Sequence, residues 1–159
     1  MLTYRSQVTV ARSPETVFAY LIDPARQALW SGVPMRQLTR GPLVAGSRLE
    51  VAFGMGPLKA VVGLELTDVD PGRRMAFESF SGPIRWTGEY NLVAAGAGTE
   101  LSQVGTLVFA GLWRLVEPLV GAEIKGGEIK ELERLKDVVE EREPDPSRLD
   151  APNESRGLT

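Results

Sequence analysis

Any chemistry in this chain proceeds without histidine or cysteine, since neither occurs among its 159 residues. That removes the commonest general base, the commonest metal ligand and the thiolate nucleophile. A serine–histidine triad and a disulfide are excluded, and an ordinary zinc site nearly so. Acid–base work falls to Asp, Glu, Lys, Arg or Tyr. The first candidate is Glu123, in the segment GAEIKGGEIK. At about 100° per residue it falls among Val116, Leu119 and Val120 on a helical wheel. A carboxyl on an apolar stripe is either held in a cavity, with a raised pKa, or turned to the rim or paired with an arginine. In a cavity it binds a ligand hydroxyl or acts as a base.

Further candidates lie on strands. Trp86 and Tyr90 share one face of their strand, and Arg85 lies on the opposite one. One parity alone points inward, and the Trp86/Tyr90 side is the more apolar. Both residues suit a plain core; as a site residue, Tyr90 brings a hydroxyl into an apolar wall. Gln103 alternates with Leu101, Gly105 and Leu107 and is a further pocket candidate. Val120, Ile124 and Gly127 complete the expected lining from the helix. Glycine in mid-helix loses about 1 kcal/mol against alanine. Gly126 and Gly127 therefore either leave room for a ligand or a kink, or admit a strand side chain such as Trp86 or Phe77. Leu29 and Trp30 suit a cavity lid or simple helix packing. Gly54–Met55–Gly56 is no phosphate loop, because no lysine–serine pair and no helix start follow it. No cofactor is implied.

These residues need elements to hold them. From Leu112 to about Arg142, apolar residues recur at Leu112, Val116, Leu119, Val120, Ile124, Leu132, Leu135, Val138 and Val139. The spacing predicts one amphipathic helix of roughly 45 Å, which must lie across a large apolar surface. Lys125, Lys130, Arg134 and Lys136 alternate with glutamates on its solvated side. Upstream, residues 3–11 read as a strand. Ser13–Pro14–Glu15 opens a short helix, Asp23–Pro24 ends it, and Pro24 starts another that closes near Trp30. Strands are expected near 33–40, 47–53, 58–69, 73–81, 84–94 and 100–109, the third of them central and covered. The separators between most of them are short turns, such as Asp70–Pro71–Gly72 and Gly82–Pro83. An antiparallel meander follows. The fold class is therefore α+β, a curved antiparallel sheet of about seven strands wrapped around the long C-terminal helix, with two short helices between the first two strands. Residues 1–142 form this domain. The polar, proline-rich remainder, 143–159, is expected to be disordered.

Composition agrees with one globular domain: 43% hydrophobic, 25% charged, net charge −3 and pI near 5.1. That balance gives no bulk attraction to nucleic acid or anionic lipid. No apolar run reaches the ~20 residues of a membrane span, and no signal peptide is recognisable at the start, so the expected location is cytoplasmic.

The segment SPETVFAYLIDPARQALW resembles the opening of the START-like, or SRPBCC, superfamily, through Ser13–Pro14–Glu15, Val17–Phe18, Leu21, Asp23–Pro24 and Trp30. Gly46–Ser47–Arg48–Leu49, Gly98–Thr99–Glu100–Leu101 and the run 131–140 continue the resemblance over about residues 4–142. It implies the helix-grip fold, with a cavity for apolar molecules between sheet and helix. It implies no shared catalytic residue. The expected function is binding or transport of a small apolar or amphipathic ligand. The alternatives are a polyketide cyclase/dehydratase-type enzyme using Glu123 and Tyr90, and a regulatory interaction domain.

Overall fold

The computed structural model describes residues 1–55 and 57–145, with the backbone alone at Met55 and Leu58. Residues 146–159, most of the expected tail, lie outside that range. Strand β1 (Leu2–Val10) is followed by helices α1 (Pro14–Ile22) and α2 (Pro24–Trp30). The local signals act as their chemistry dictates. Ser13 Oγ accepts from the Thr16 amide at 3.3 Å, and Asp23 Oδ1 accepts from the Ala25 amide at 3.0 Å. Each cap satisfies an amide that has no partner within its helix. Ser13→Ala should lower unfolding stability by about 1 kcal/mol in urea titration. No loss would mean that water replaces the cap.

Six further strands follow: β2 (Met35–Gln37), β3 (Arg48–Met55), β4 (Leu58–Asp70), β5 (Arg74–Ser81), β6 (Ile84–Ala95) and β7 (Gly98–Phe109). They form one antiparallel sheet in the order β1-β7-β6-β5-β4-β3-β2. The expected fold class is the observed one. Strand β2 is much shorter than the 33–40 anticipated. The amides of Leu38 and Thr39 both turn to the Arg48 carbonyl, at 2.9 and 3.4 Å, which closes the ladder at this edge. Between β4 and β5 the register shifts at Gly63/Leu64 and again at Leu66/Asp68. Such irregularities bend a strand and sharpen its twist, so they curve the sheet. Its concave face carries the core, with Tyr4, Val62, Leu64, Phe77, Trp86, Leu101 and Leu107 all buried. Strand β4 is interior, as expected, but covered on one face: Val61, on the convex side, is 54% exposed.

The C-terminal helix departs from its prediction at the start. A 3-10 helix spans Gly111–Leu115, and the α-helix, α3, runs Glu117–Arg142. Pro118 explains the break, because in a continuous helix its ring would collide with the carbonyl four residues back. Leu112, Leu115 and Leu119 are consequently exposed, at 82%, 80% and 66%. The buried stripe is Val120, Ile124, Glu128, Leu132, Leu135 and Val139, with Gly121 and Glu131 beside it. Helix α3 packs against β1, α1 and α2. Its far end is fixed by the buried Arg12, whose guanidinium donates to the carbonyls of Glu140 and Glu143 at 2.7 and 3.0 Å. A cation there also meets the negative end of the helix dipole. Among the described residues no helix is long and apolar enough to cross a membrane.

Candidate functional site

The site is built where α3, the segment after α2 and the concave face of the sheet converge. An outer cavity of about 340 Å³ is lined by Gly32, Val33 and Pro34, by Phe53 of β3, by Trp113, and by the α3 residues Val120, Glu123, Ile124, Gly127, Glu128 and Glu131. Beyond it lies an inner compartment of about 60 Å³, walled by Trp30, Val51, Leu64, Met75, Phe77, Trp86 and Tyr90. Val33, Glu128 and Glu131 line both spaces, so the two carboxyl side chains stand at the passage between them.

The sheet makes a rigid floor. Trp86 lies between Phe53 and Phe77, with ring centroids 5.2 and 5.3 Å away. Its indole N–H donates to the Tyr4 hydroxyl at 2.8 Å. Gln103 reaches from the sheet to the helix: its side-chain amide donates to the Glu128 carbonyl at 2.9 Å and to Ser6 Oγ at 3.0 Å. That bond pins the middle of α3 on the sheet and fixes the rotation of the helix. Trp30 donates its indole N–H to the Tyr20 carbonyl at 2.9 Å, which locks α2 against α1 beneath the entrance.

Glu128 dominates the electrostatics. It is 5% exposed. Among the described residues no protein group donates to its carboxyl, and no fully buried side-chain oxygen there lacks a partner, so the carboxyl oxygens open onto the cavity. Burial, and then the nearby Glu131 charge, push its pKa up from an ordinary 4.5 to about 8. Glu131 is also raised, chiefly by burial. The Gly32 amide, Arg134 and Ser31 oppose that shift, the first by a 2.8 Å hydrogen bond to Oε1. The Tyr90 hydroxyl is pushed well above the usual phenol value, first by burial and then by Glu128. Near neutral pH the passage thus carries a protonated Glu128 able to donate a hydrogen bond, and a Tyr90 hydroxyl in the inner wall.

The sequence candidates divide between these spaces. Trp86 and Tyr90 line the inner compartment; Val120, Glu123, Ile124 and Gly127 line the outer one. Gln103 lines neither and ties helix to sheet instead. Glu123 is exposed, at the rim rather than on the buried stripe, because Pro118 shifts the helix start and the buried face turns toward Glu128. A Cβ on Gly127 would meet nothing within 4 Å, so this glycine borders open space and admits no strand side chain. Trp30 is buried, and Leu29 and Arg85 are exposed. Glu128, Glu131, Phe53 and Val33 were not among the candidates.

The fold is widely represented among solved structures. The protein TTHA0849 of Thermus thermophilus superposes with a TM-score of 0.72 at 19% identity, over 87% of this chain and 97% of its own. CV1439 of Chromobacterium violaceum does so with a TM-score of 0.66 at 20% identity, covering 87% and 96%. DR_A0006 of Deinococcus radiodurans gives 0.60 at 23% identity, covering 86% and 95%. No curated protein matches the sequence. The profile of one family, described as polyketide cyclase/dehydrase and lipid transport, matches residues 1–140. Sheet and helices are those of the helix-grip superfamily, and the chain belongs to the polyketide cyclase/dehydrase and lipid transport family.

Proposed function

We propose that this protein binds a small amphipathic molecule in the space between sheet and α3. The observation that carries the reading is the cavity of about 340 Å³ with the carboxyl of the largely buried Glu128 opening onto its inner end. Ligand sites are concave, mostly apolar and supplied with few polar groups that fix orientation. Val33, Phe53, Trp113, Val120 and Ile124 supply apolar surface, and Glu128 supplies the polar contact. An empty pocket would gain nothing from a carboxyl whose burial opposes its charge.

A second reading is acid–base catalysis on a polyketide-like substrate. It is favoured by a carboxyl whose pKa burial raises to about 8, lining the same compartment as Tyr90, the kind of tuning that suits a general acid. In that reading Glu128 takes the role first considered for Glu123.

Gly127→Leu tests the binding reading. Leucine favours helix by about 1 kcal/mol over glycine, so the variant should fold. Its side chain would occupy the outer cavity. Saturable binding of a fluorescent apolar probe should weaken about tenfold or more, a loss of ~1.4 kcal/mol. Unchanged probe affinity in the folded variant would remove the cavity as the binding site. Native mass spectrometry of the purified protein should also reveal a bound small molecule.

A further inference from the structure

We infer that the ligand is an apolar amine, its ammonium seated against Glu128 and its hydrocarbon part in the outer cavity. This inference rests on the binding reading above and narrows it to a ligand class. The charged and titratable groups around the passage decide the sign. Helix α3 contributes Glu128 and Glu131, β1 contributes Tyr4 and β6 contributes Tyr90. The α2 side contributes neutral Gln27 and Ser31. No lysine or arginine lines the inner compartment. The two cations on the outer cavity, Lys130 and Arg134, are exposed residues, and Arg134 is engaged with the Trp30 carbonyl at 3.2 Å.

A carboxylate head group would meet two carboxyls and no buried cation. An alcohol would take one hydrogen bond from protonated Glu128 and leave the ionisation of that carboxyl opposed by burial and by Glu131. An ammonium reverses it: its charge stabilises ionised Glu128 and screens that residue from Glu131. The inner compartment, at about 60 Å³, has space for a head group and not for a chain. The outer cavity, with Val33, Phe53, Trp113, Val120 and Ile124, takes the chain.

The protons balance simply. Below about pH 8, Glu128 is protonated and the amine is already an ammonium. Binding releases the carboxyl proton to solvent and forms a carboxylate–ammonium pair. Affinity for the amine must therefore rise with pH toward about 8, by up to about tenfold per pH unit.

The experiment is calorimetric titration of the full chain with octylamine, 1-octanol and octanoate at pH 6 and pH 8. The three share one chain and differ in the head group. At pH 8 octylamine should bind about tenfold or more tighter than octanol, with octanoate weakest. Its affinity should rise from pH 6 to pH 8, with a proton released on binding. Glu128→Gln should bring the amine-to-alcohol ratio near one and abolish proton release, and Glu128→Leu provides the same comparison should the amide fold poorly. Octylamine binding no tighter than octanol, or with a preference that survives in Glu128→Gln, would overturn the amine inference while the cavity stands. Absence of binding by all three would overturn both.

Discussion

Gly105→Ala is expected to destabilise the domain by about 3 kcal/mol, a large share of the stability of any single domain. Gly105 sits on β7, directly opposite Tyr4 of β1. The Tyr4 ring lies across it so closely that an added methyl would come within 2.0 Å of the ring carbon bearing the hydroxyl and 2.2 Å of the hydroxyl oxygen. No carbon tolerates that approach, so the ring must swing away. Tyr4 is 2% exposed and holds the indole N–H of Trp86 at 2.8 Å. Moving it breaks that bond and leaves a buried donor unpaired, a second loss of about 1–3 kcal/mol. Trp86 in turn is packed by Phe53 and Phe77, so the disturbance reaches the cavity floor. Urea unfolding measures the total. The assignment to Tyr4 is checked in a Tyr4→Leu background, where the added methyl meets no ring and Gly105→Ala should cost far less. Equal cost in both backgrounds would place the strain in the β7 backbone instead.

The alternation of Leu101, Gln103, Gly105, Leu107 and Phe109 was enough to orient β7, and the turn residues between strands were enough to give the meander. What the pattern did not disclose is why Gly105 is glycine, since the reason lies about a hundred residues away on β1. The same holds for Gln103, whose partner is the carbonyl of Glu128. Its amide looks like a ligand contact until the helix is in place. The helix itself misled in phase. Leu112, Val116 and Leu119 continue a plausible stripe, and a wheel drawn through them puts Glu123 inward. Pro118 was the available correction: a helix that must begin beside it takes its phase from Val120, Ile124, Leu132, Leu135 and Val139. Those five place Glu128 on the buried side and Glu123 at its edge. The exposure of Leu112, Leu115 and Leu119 was beyond reach, because apolar residues at a helix entrance look alike whether covered or not.

The stability of the protein should fall as pH rises from about 4.5 to about 8, and Glu128→Gln should remove most of that fall. The sign follows from linkage. Folding raises the carboxyl pKa of Glu128 from 4.5 to about 8, so between these values the folded state binds more protons than the unfolded one. Stability then declines with pH across that window, and the full penalty is present above pH 8. A folded carboxyl near 8 corresponds to a loss on the order of a few kcal/mol, which glutamine escapes. Wild type and Glu128→Gln should therefore be nearly equal near pH 4.5 and well separated at pH 8, with the variant the more stable. The chain suits this measurement. It has no histidine and no cysteine, so no side chain with an ordinary pKa titrates between pH 5 and pH 8. Glu131, raised in the same direction, is the neighbour that contributes a slope of its own, and that slope is what should remain in Glu128→Gln. Urea unfolding at half-unit steps of pH gives both curves. A wild-type profile that stays level from pH 5 to pH 8 would mean that Glu128 meets water or a partner in the cavity, and would withdraw both the acid–base reading and the proton release predicted for amine binding.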